Sequence, residues 1–360
     1  MKTIPEQIAE LEEKISQTPY HKGTEHQVGR WRARIAKLKH QMWGRQTKKA
    51  GGGEGYAVRK SGDATVVLAG PPSVGKSSLL NSLTDARSRV ASYDFTTLSV
   101  IPGMMKYRGA MIQILDVPGI VEGASTGKGH GREVLSIMRA ADLLLIMVEP
   151  QKIGLIKRIK KELSEFGIRL DEKPPQMTIK RTTRGGIKIA STVPLHFIAF
   201  PTVAEITKEF RFSNAEIVIR EDLTETRLID ALMANRVYLP YLVVVNKADL
   251  VSGSSQPVKP TMVFISAKNG TNLDQLKAMV WEKLGLMRIF LKPKGGQTDL
   301  DEPLIVKQGV DLRVVLGKLN LADQETINRA KVFGPGAKFA GQEVSLNFRP
   351  QEGTIISFFG

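Results

Sequence analysis

The sequence predicts an α/β protein with a mostly parallel sheet, and three observations carry that expectation. Short apolar runs at Ala64–Ala69, Ile112–Leu115, Leu143–Val148, Tyr241–Val245 and Met262–Ile265 have the length and all-round hydrophobicity of strands buried on both faces. Helical segments separate several of these runs, as parallel strands require. A glycine-rich turn and several polar tetrapeptides follow the runs directly, where an α/β sheet presents its ligand loops.

The 360 residues exceed one average domain, and two or more are expected. Ile4, Ile8, Leu11 and Ile15 lie at helical spacing, and Thr18-Pro19 ends that helix. Thr24-Glu25-His26-Gln27 looks like a capping box for a second helix carrying Val28, Trp31, Ile35, Leu38 and Met42. The two stripes form a helical hairpin, the basic N-terminal region 1–60, closed by the flexible joint Gly51-Gly52-Gly53. The strand–helix alternation then occupies 61–165 and resumes at 241–286. Between them, 166–240 reads as an inserted α+β module. It is expected to contain a hairpin of Met177–Lys180 and Ile187–Ser191 around Arg184-Gly185-Gly186, and a helix after Thr202 with Glu205 completing a capping box. A strand at Ala215–Ile219 and a helix through Leu223, Leu228, Ile229 and Leu232 follow. The last segment, 287–360, reads as a small β-rich domain. Its strands are expected at Arg288–Leu291, Asp311–Val315, Ala330–Val332 and Ile355–Phe358, with a helical pattern between Leu319 and Arg329.

The chain has 52 Lys+Arg against 36 Asp+Glu, a formal charge of +16. A surplus of this sign favours an anionic partner, with nucleic acid first. From His26 to Gly53 there is no acidic residue, while Arg30, Arg32, Arg34, Lys37, Lys39, Arg45, Lys48 and Lys49 are basic, so RNA contact is expected there. The terminal domain is balanced, with 10 basic and 8 acidic residues. Cysteine is absent, which excludes disulfides, thiolate metal sites and cysteine nucleophiles. The start is too acidic and amphipathic for a signal peptide, and Leu143–Val148 is far too short for a membrane span. A cytoplasmic protein is expected, without membrane attachment. It is expected to be a monomer, because no heptad seam extends past the hairpin.

Gly70-Pro71-Pro72-Ser73-Val74-Gly75-Lys76-Ser77, followed by Ser78, fits G-x-x-x-x-G-K-[ST] between a strand and a helix. Such a turn wraps backbone N–H groups round a phosphate at a helix N-terminus. Lys76 can reach the β- and γ-phosphates, and the Ser77 hydroxyl can ligate Mg²⁺. Asp116-Val117-Pro118-Gly119 ends a strand, placing Asp116 near the Mg²⁺ shell and the Gly119 N–H near a γ-phosphate. In Phe95-Thr96-Thr97-Leu98, Thr97 is the expected Mg²⁺ ligand and γ-phosphate sensor, with Thr96 as rival. Lys76, Thr97 and Gly119 are thus the candidates for catalytic roles. In Asn246-Lys247-Ala248-Asp249, the Asp249 carboxylate can accept both donors on the guanine edge, which adenine lacks. Asn246 would tie this loop to the phosphate loop, and the Lys247 stem would cover the base. Ser266-Ala267-Lys268 can offer a backbone N–H to guanine O6. Lys76 and Asp116 are 40 positions apart, but Asp116 and Asn246 are 130 apart, and the longer interval holds the insertion.

GPPSVGKSSLLN, YDFTTL, DVPGIVEGASTGKGHGRE, NKAD and SAK together resemble the developmentally regulated GTP-binding proteins, within the Obg-like GTPases. RIFLKPKG and AKFAGQEV resemble the β-grasp-like TGS domain that closes those proteins. The insertion resembles their ribosomal-protein-S5-domain-2-like module, and the basic hairpin resembles their N-terminal helical region. The resemblance implies GTP hydrolysis to GDP and phosphate, coupled to translation through the ribosome and ribosomal RNA, with a stimulatory partner protein known for some members. The alternatives are an RNA-binding protein that uses GTP as a structural ligand, and a metabolic sensor acting through the terminal domain. Ile120 stands where many small GTPases carry the Gln that orients water, so slow intrinsic turnover is expected. A potassium ion near the phosphates is one candidate aid, although relatives with a strong potassium site often have Asn where this chain has Ser73. His130 and Arg132, among the glycines at 123, 127, 129 and 131, are weaker candidates for positioning water and supplying an arginine finger. This segment and Thr97 are expected to form the two switches.

Overall fold

The computed structural model describes residues 2–45, 61–84, 100–117, 137–250, 260–293, 296, 298–319 and 327–359. They fall into two compact units. One draws on 57–121, 140–158 and 240–360, the other on 1–56, 122–139 and 159–239.

The first of these is built on a six-stranded sheet ordered β11-β10-β4-β1-β3-β2. Its strands are β1 (Ala64–Ala69), β2 (Ile101–Tyr107), β3 (Ala110–Asp116), β4 (Leu143–Val148), β10 (Tyr241–Val245) and β11 (Met262–Phe264). All pairings are parallel except that of the edge strand β2 with β3. β1 and β4 are buried at every residue, as expected of strands covered on both faces. β2 was not expected, because Pro102 and Gly103 interrupt its apolar pattern. Proline is tolerated there because the strand is an edge. Registers Leu68↔Asp116, Val245↔Val148 and Val245↔Phe264 bring the carboxyl ends of β3, β1, β4, β10 and β11 to one side of the sheet.

The C-terminal strands belong to the same unit. β12 (Leu286–Leu291), β13 (Leu304–Lys307), β14 (Arg329–Phe333), β15 (Gln342–Ser345) and β16 (Ile355–Phe359) form a sheet ordered β13-β12-β16-β14-β15. Only β12 and β16 pair in parallel. Asp311–Val315 is not a strand, as its two valines suggested. It opens the helix Leu312–Lys318, because Asp311 accepts from the Val314 N–H at 3.2 Å and Leu312, Val315 and Leu316 share one buried face. The helical pattern expected from Leu319 to Arg329 lies largely outside the described residues, and Arg329 itself begins β14. The helix Leu273–Leu284 runs through Gly285 straight into β12, and Leu286 and Ile305 share a core with Trp281 and Leu284.

In the second unit, α1 (Ile4–Gln17) and α2 (Glu25–Arg45) pack through Ile8, Ile35 and Leu38. The capping box lies on α1: Thr3 Oγ1 accepts from Glu6 N–H, and Glu6 accepts from Thr3 N–H. The one expected at Thr24 does not form, since its hydroxyl donates to the Pro19 carbonyl at 2.6 Å. The inserted module holds β5 (Ile168–Leu170), β6 (Met177–Arg181), β7 (Ile187–Ser191), β8 (Ala215–Ile219) and β9 (Val237–Leu239). β6 and β7 do not form the expected hairpin: β8 lies between them, antiparallel to β6 and parallel to β7. The alternating pattern was correct for each strand but held no information on which partner separates them. The helix Phe200–Glu209 starts two residues before Thr202 with Ala199 as its cap, so the capping box expected there is also absent. Instead the Glu25 carboxylate of α2 accepts from the Ala199 N–H at 3.0 Å.

That contact is one of several that seat α2 on the module. Gly29, Ala33 and Ala36 occupy one face of α2. Ala33 is fully buried with Val203 and Ile206, and a Cβ on Gly29 would lie 2.9 Å from Ile206 Cδ1. Behind this core, Asp230 is gripped by two buried guanidiniums, Arg169 at 2.6 and 2.7 Å and Arg236 at 2.6 Å.

Candidate functional site

The phosphate loop starts where β1 ends, and the helix Lys76–Leu83 begins at its far side. Ser73 and Gly75 both take left-handed backbone conformations, φ 62° and 93°. Gly75 has a second reason to lack a side chain, since a Cβ there would meet Asn246 Nδ2 at 2.4 Å. Gly70, Pro71, Pro72, Val74 and Ser78 complete the turn. The Lys76 ammonium donates to the carbonyls of Gly70 and Pro71, each at 3.1 Å, so it is held above the loop's opening residues with a third N–H remaining.

Asp116 ends β3 beside this loop and is buried. One carboxylate oxygen accepts from Ser77 Oγ at 2.6 Å. The other, also buried, has no hydrogen-bond partner among the described residues. An ionised, desolvated oxygen without a donor is costly unless a cation or ordered water faces it. The Ser77–Asp116 pair therefore fits a Mg²⁺ shell. Thr97, Thr96, Gly119, Ile120, His130 and Arg132 lie outside the described residues.

The loops beginning at Asn246 and Ser266 meet the loop 70–77 through Asn246, which is buried. Its Nδ2 donates to the Val74 carbonyl at 2.9 Å, and its Oδ1 accepts from the Ala267 N–H at 3.0 Å. One side chain thus ties three loops, and Ser82 Oγ adds a bond to the Ala267 carbonyl at 2.8 Å. Lys247 follows with φ 64°, a left-handed conformation that ends the extended run of β10. Asp249 is exposed on the short helical turn Ala248–Leu250. The Ser266 hydroxyl holds its carboxyl below the ordinary aspartate range, with Lys268 and Lys247 contributing. Ser266 and Ala267 are buried, while Lys268 is exposed.

Glu149 was not singled out from the sequence. It stands at the end of β4, and its carboxylate pairs with Lys247 and with Lys152 at 2.9 Å. The Lys247 contact, with Lys152, holds Glu149 below the usual carboxylate range. The available signal was an acid directly after the fully apolar run Leu143–Val148.

The basic stretch of α2 has a partly internal use. Arg32 pairs with Glu225, Lys37 with Glu209 at 3.5 Å, Lys39 with Glu12 at 3.3 Å and Arg30 with Glu205 at 3.8 Å. These charges help dock α2 on the module and on α1. Arg34 is exposed, and the side chains of Arg45, Lys48 and Lys49 lie outside those described.

A family model described as 50S ribosome-binding GTPase matches residues 65–181, and a model of the C-terminal region of the same domain matches 184–286. An uncharacterized GTP-binding protein of Methanocaldococcus jannaschii is 46% identical over 98% of this chain and 92% of its own length. Developmentally-regulated G-protein 3 of Arabidopsis thaliana is 45% identical over 99% and 98%. Developmentally-regulated GTP-binding protein 2 of Homo sapiens is 39% identical over 98% of each chain. Among the described residues, no helix is long and apolar enough to cross a membrane.

Proposed function

The chain belongs to the developmentally regulated GTP-binding proteins, within the Obg-like GTPases, and on that premise we propose that it is a ribosome-associated switch that hydrolyses GTP to GDP and phosphate in the cytoplasm. The observation that carries the nucleotide part is the Asn246 tie, which sets the guanine-reading loop against the phosphate loop. Asp249 accepts from the two guanine donors, the Lys247 stem covers the base, and the loop at Ser73–Ser77 grips the phosphates. Mg²⁺ held through Ser77 and Asp116 would neutralise charge that develops on the phosphate oxygens. Lys76 carries a fixed positive charge to the same oxygens. Water attacks the γ-phosphorus and the bond to the β–γ bridging oxygen breaks. Thr97 and the Gly119 N–H sense the γ-phosphate, and the two segments containing them switch when it leaves.

The ribosomal part rests on the match to the 50S ribosome-binding GTPases and on the charge of +16. Arg34 and the basic residues beyond α2 are candidates for RNA contact, and the terminal sheet, read as a TGS domain, for a protein contact. With Ile120 where Gln would orient water, turnover depends on help from the ribosome, a partner protein or potassium.

Cosedimentation with ribosomes, under GDP and a GTP analogue, tests this together with turnover in sodium and potassium buffers. The expected outcome is stronger association with the analogue, slow turnover that ribosomes accelerate, and binding that weakens steeply with salt. Equal, salt-insensitive sedimentation with both nucleotides and no acceleration would overturn the ribosomal reading. Equal rates in the two buffers would remove potassium.

A further inference from the structure

The unit containing α1 and α2 holds a cavity of about 550 Å³, formed by the turn between these helices and two loops of the inserted module. Its size lies within the roughly 300–1,000 Å³ typical of small-molecule sites. Tyr20 and Phe197 stand in its wall with 55% and 62% of their surfaces exposed. The acids at its floor are turned inward. Glu225, itself nearly fully buried, accepts from the Tyr20 hydroxyl at 3.0 Å and from Arg32 at 2.5 Å, and Arg32 also lies 5.5 Å from the centre of the Tyr20 ring. Glu25 is engaged by the Ala199 N–H. The open side therefore presents Lys22, which has no acidic partner among the described residues, and two imidazoles.

The imidazoles are set in opposite senses. His21 Nδ1 accepts from the Gly23 N–H at 3.1 Å, which leaves the proton of the neutral ring on Nε2. His196 Nδ1 faces Asp222 Oδ2 at 2.9 Å, which places a proton on Nδ1 and leaves Nε2 of the neutral ring as an acceptor. In their neutral forms, one donor and one acceptor line the same space as two exposed aromatic side chains and a free ammonium. A flat heterocycle with a phosphate attached satisfies all of these groups together. The aromatic side chain of a peptide would leave Lys22 without an anion to meet.

We propose that this cavity binds an unpaired nucleotide unit, its base stacked on Phe197, its edge read by His21 and His196, and its phosphate met by Lys22. Base stacking on exposed aromatics is tolerant of sequence, and a single cation at the phosphate adds salt dependence. The proposal goes beyond the ribosomal reading and does not need it.

The test uses the full chain saturated with GDP, so that the guanine site is filled. Binding of a labelled short single-stranded RNA is measured by fluorescence anisotropy, and of AMP, CMP and UMP by calorimetry. Phe197→Ala is expected to weaken RNA binding by about 5- to 150-fold, the range that ~1–3 kcal/mol of stacking corresponds to. Lys22→Ala is expected to weaken it several-fold and flatten its salt dependence. Unchanged thermal midpoints of both variants separate loss of the site from loss of the fold. If mononucleotides bind with the same sensitivity to Phe197→Ala, the natural occupant is a free nucleotide; if only the strand binds, it is RNA. RNA affinity unchanged in both variants, as a peptide-binding cavity would give, overturns the proposal, as does a wild-type chain that binds neither probe. Ribosome cosedimentation that persists in that event leaves the switch reading standing.

Discussion

Asp249, the residue proposed to read guanine, shows how one neighbour sets the working range of a carboxylate. Only its ionised form could accept both guanine donors, so on that proposal guanine binding is lost as pH falls through its folded-state pKa. The Ser266 hydroxyl lowers that pKa, which extends guanine recognition to more acidic conditions. Ser266→Ala is therefore expected to release GDP at a higher pH than wild type on acidification, with unchanged affinity at neutral pH. Fluorescent-nucleotide titrations across the acid range check this, and coincident acid midpoints would contradict it. Asp249 itself was legible in the sequence because its tetrapeptide follows a strand. The roles of Ser266 beneath it and Glu149 beside Lys247 were not, because both depend on which strand ends become neighbours.

The seating of α2 on the inserted module depends on small side chains at Gly29, Ala33 and Ala36, and on cations that pair with module acids. Gly29→Val is expected to cost about 1–3 kcal/mol through overpacking against Ile206 and Thr202. Gly29→Ala should cost much less, because its Cβ meets the movable end of Ile206 and alanine gains roughly 1 kcal/mol of helix propensity. Denaturant midpoints of the two variants measure the difference, and equal midpoints would contradict a close helix contact. The helices themselves were legible from their apolar spacing. Their partner was not: a run of basic residues without acids suggests an external anion, yet Arg32, Lys37 and Arg30 find their acids 193, 172 and 175 positions away, at Glu225, Glu209 and Glu205. The separation of β6 from β7 by β8 was hidden for a similar reason, since alternation fixes a strand's faces and not its neighbours.

For the molecule as a whole, a mostly parallel sheet gathers loops from distant parts of the sequence at the carboxyl ends of its strands. The five buried runs foretold that sheet, and in the chain the strands β5 to β9 lie between its neighbours β4 and β10. The helix at Leu312–Lys318 escaped notice because paired valines outweigh a capping aspartate when the pattern is short. The C-terminal strands share a core with the sheet through Leu286 and Ile305, so any shift in that sheet would have a packed route to them. All of this has functional meaning only if the gathered loops select guanine. Calorimetric titration of the full chain with GDP and ADP, in wild type and Asp249→Ala, tests that most directly. Strong preference for GDP is expected in wild type, with GDP affinity falling about 10- to 150-fold in the variant, the loss that ~1.5–3 kcal/mol of charged hydrogen bonding represents. Equal affinity for the two nucleotides, or a preference that survives Asp249→Ala, would contradict the account.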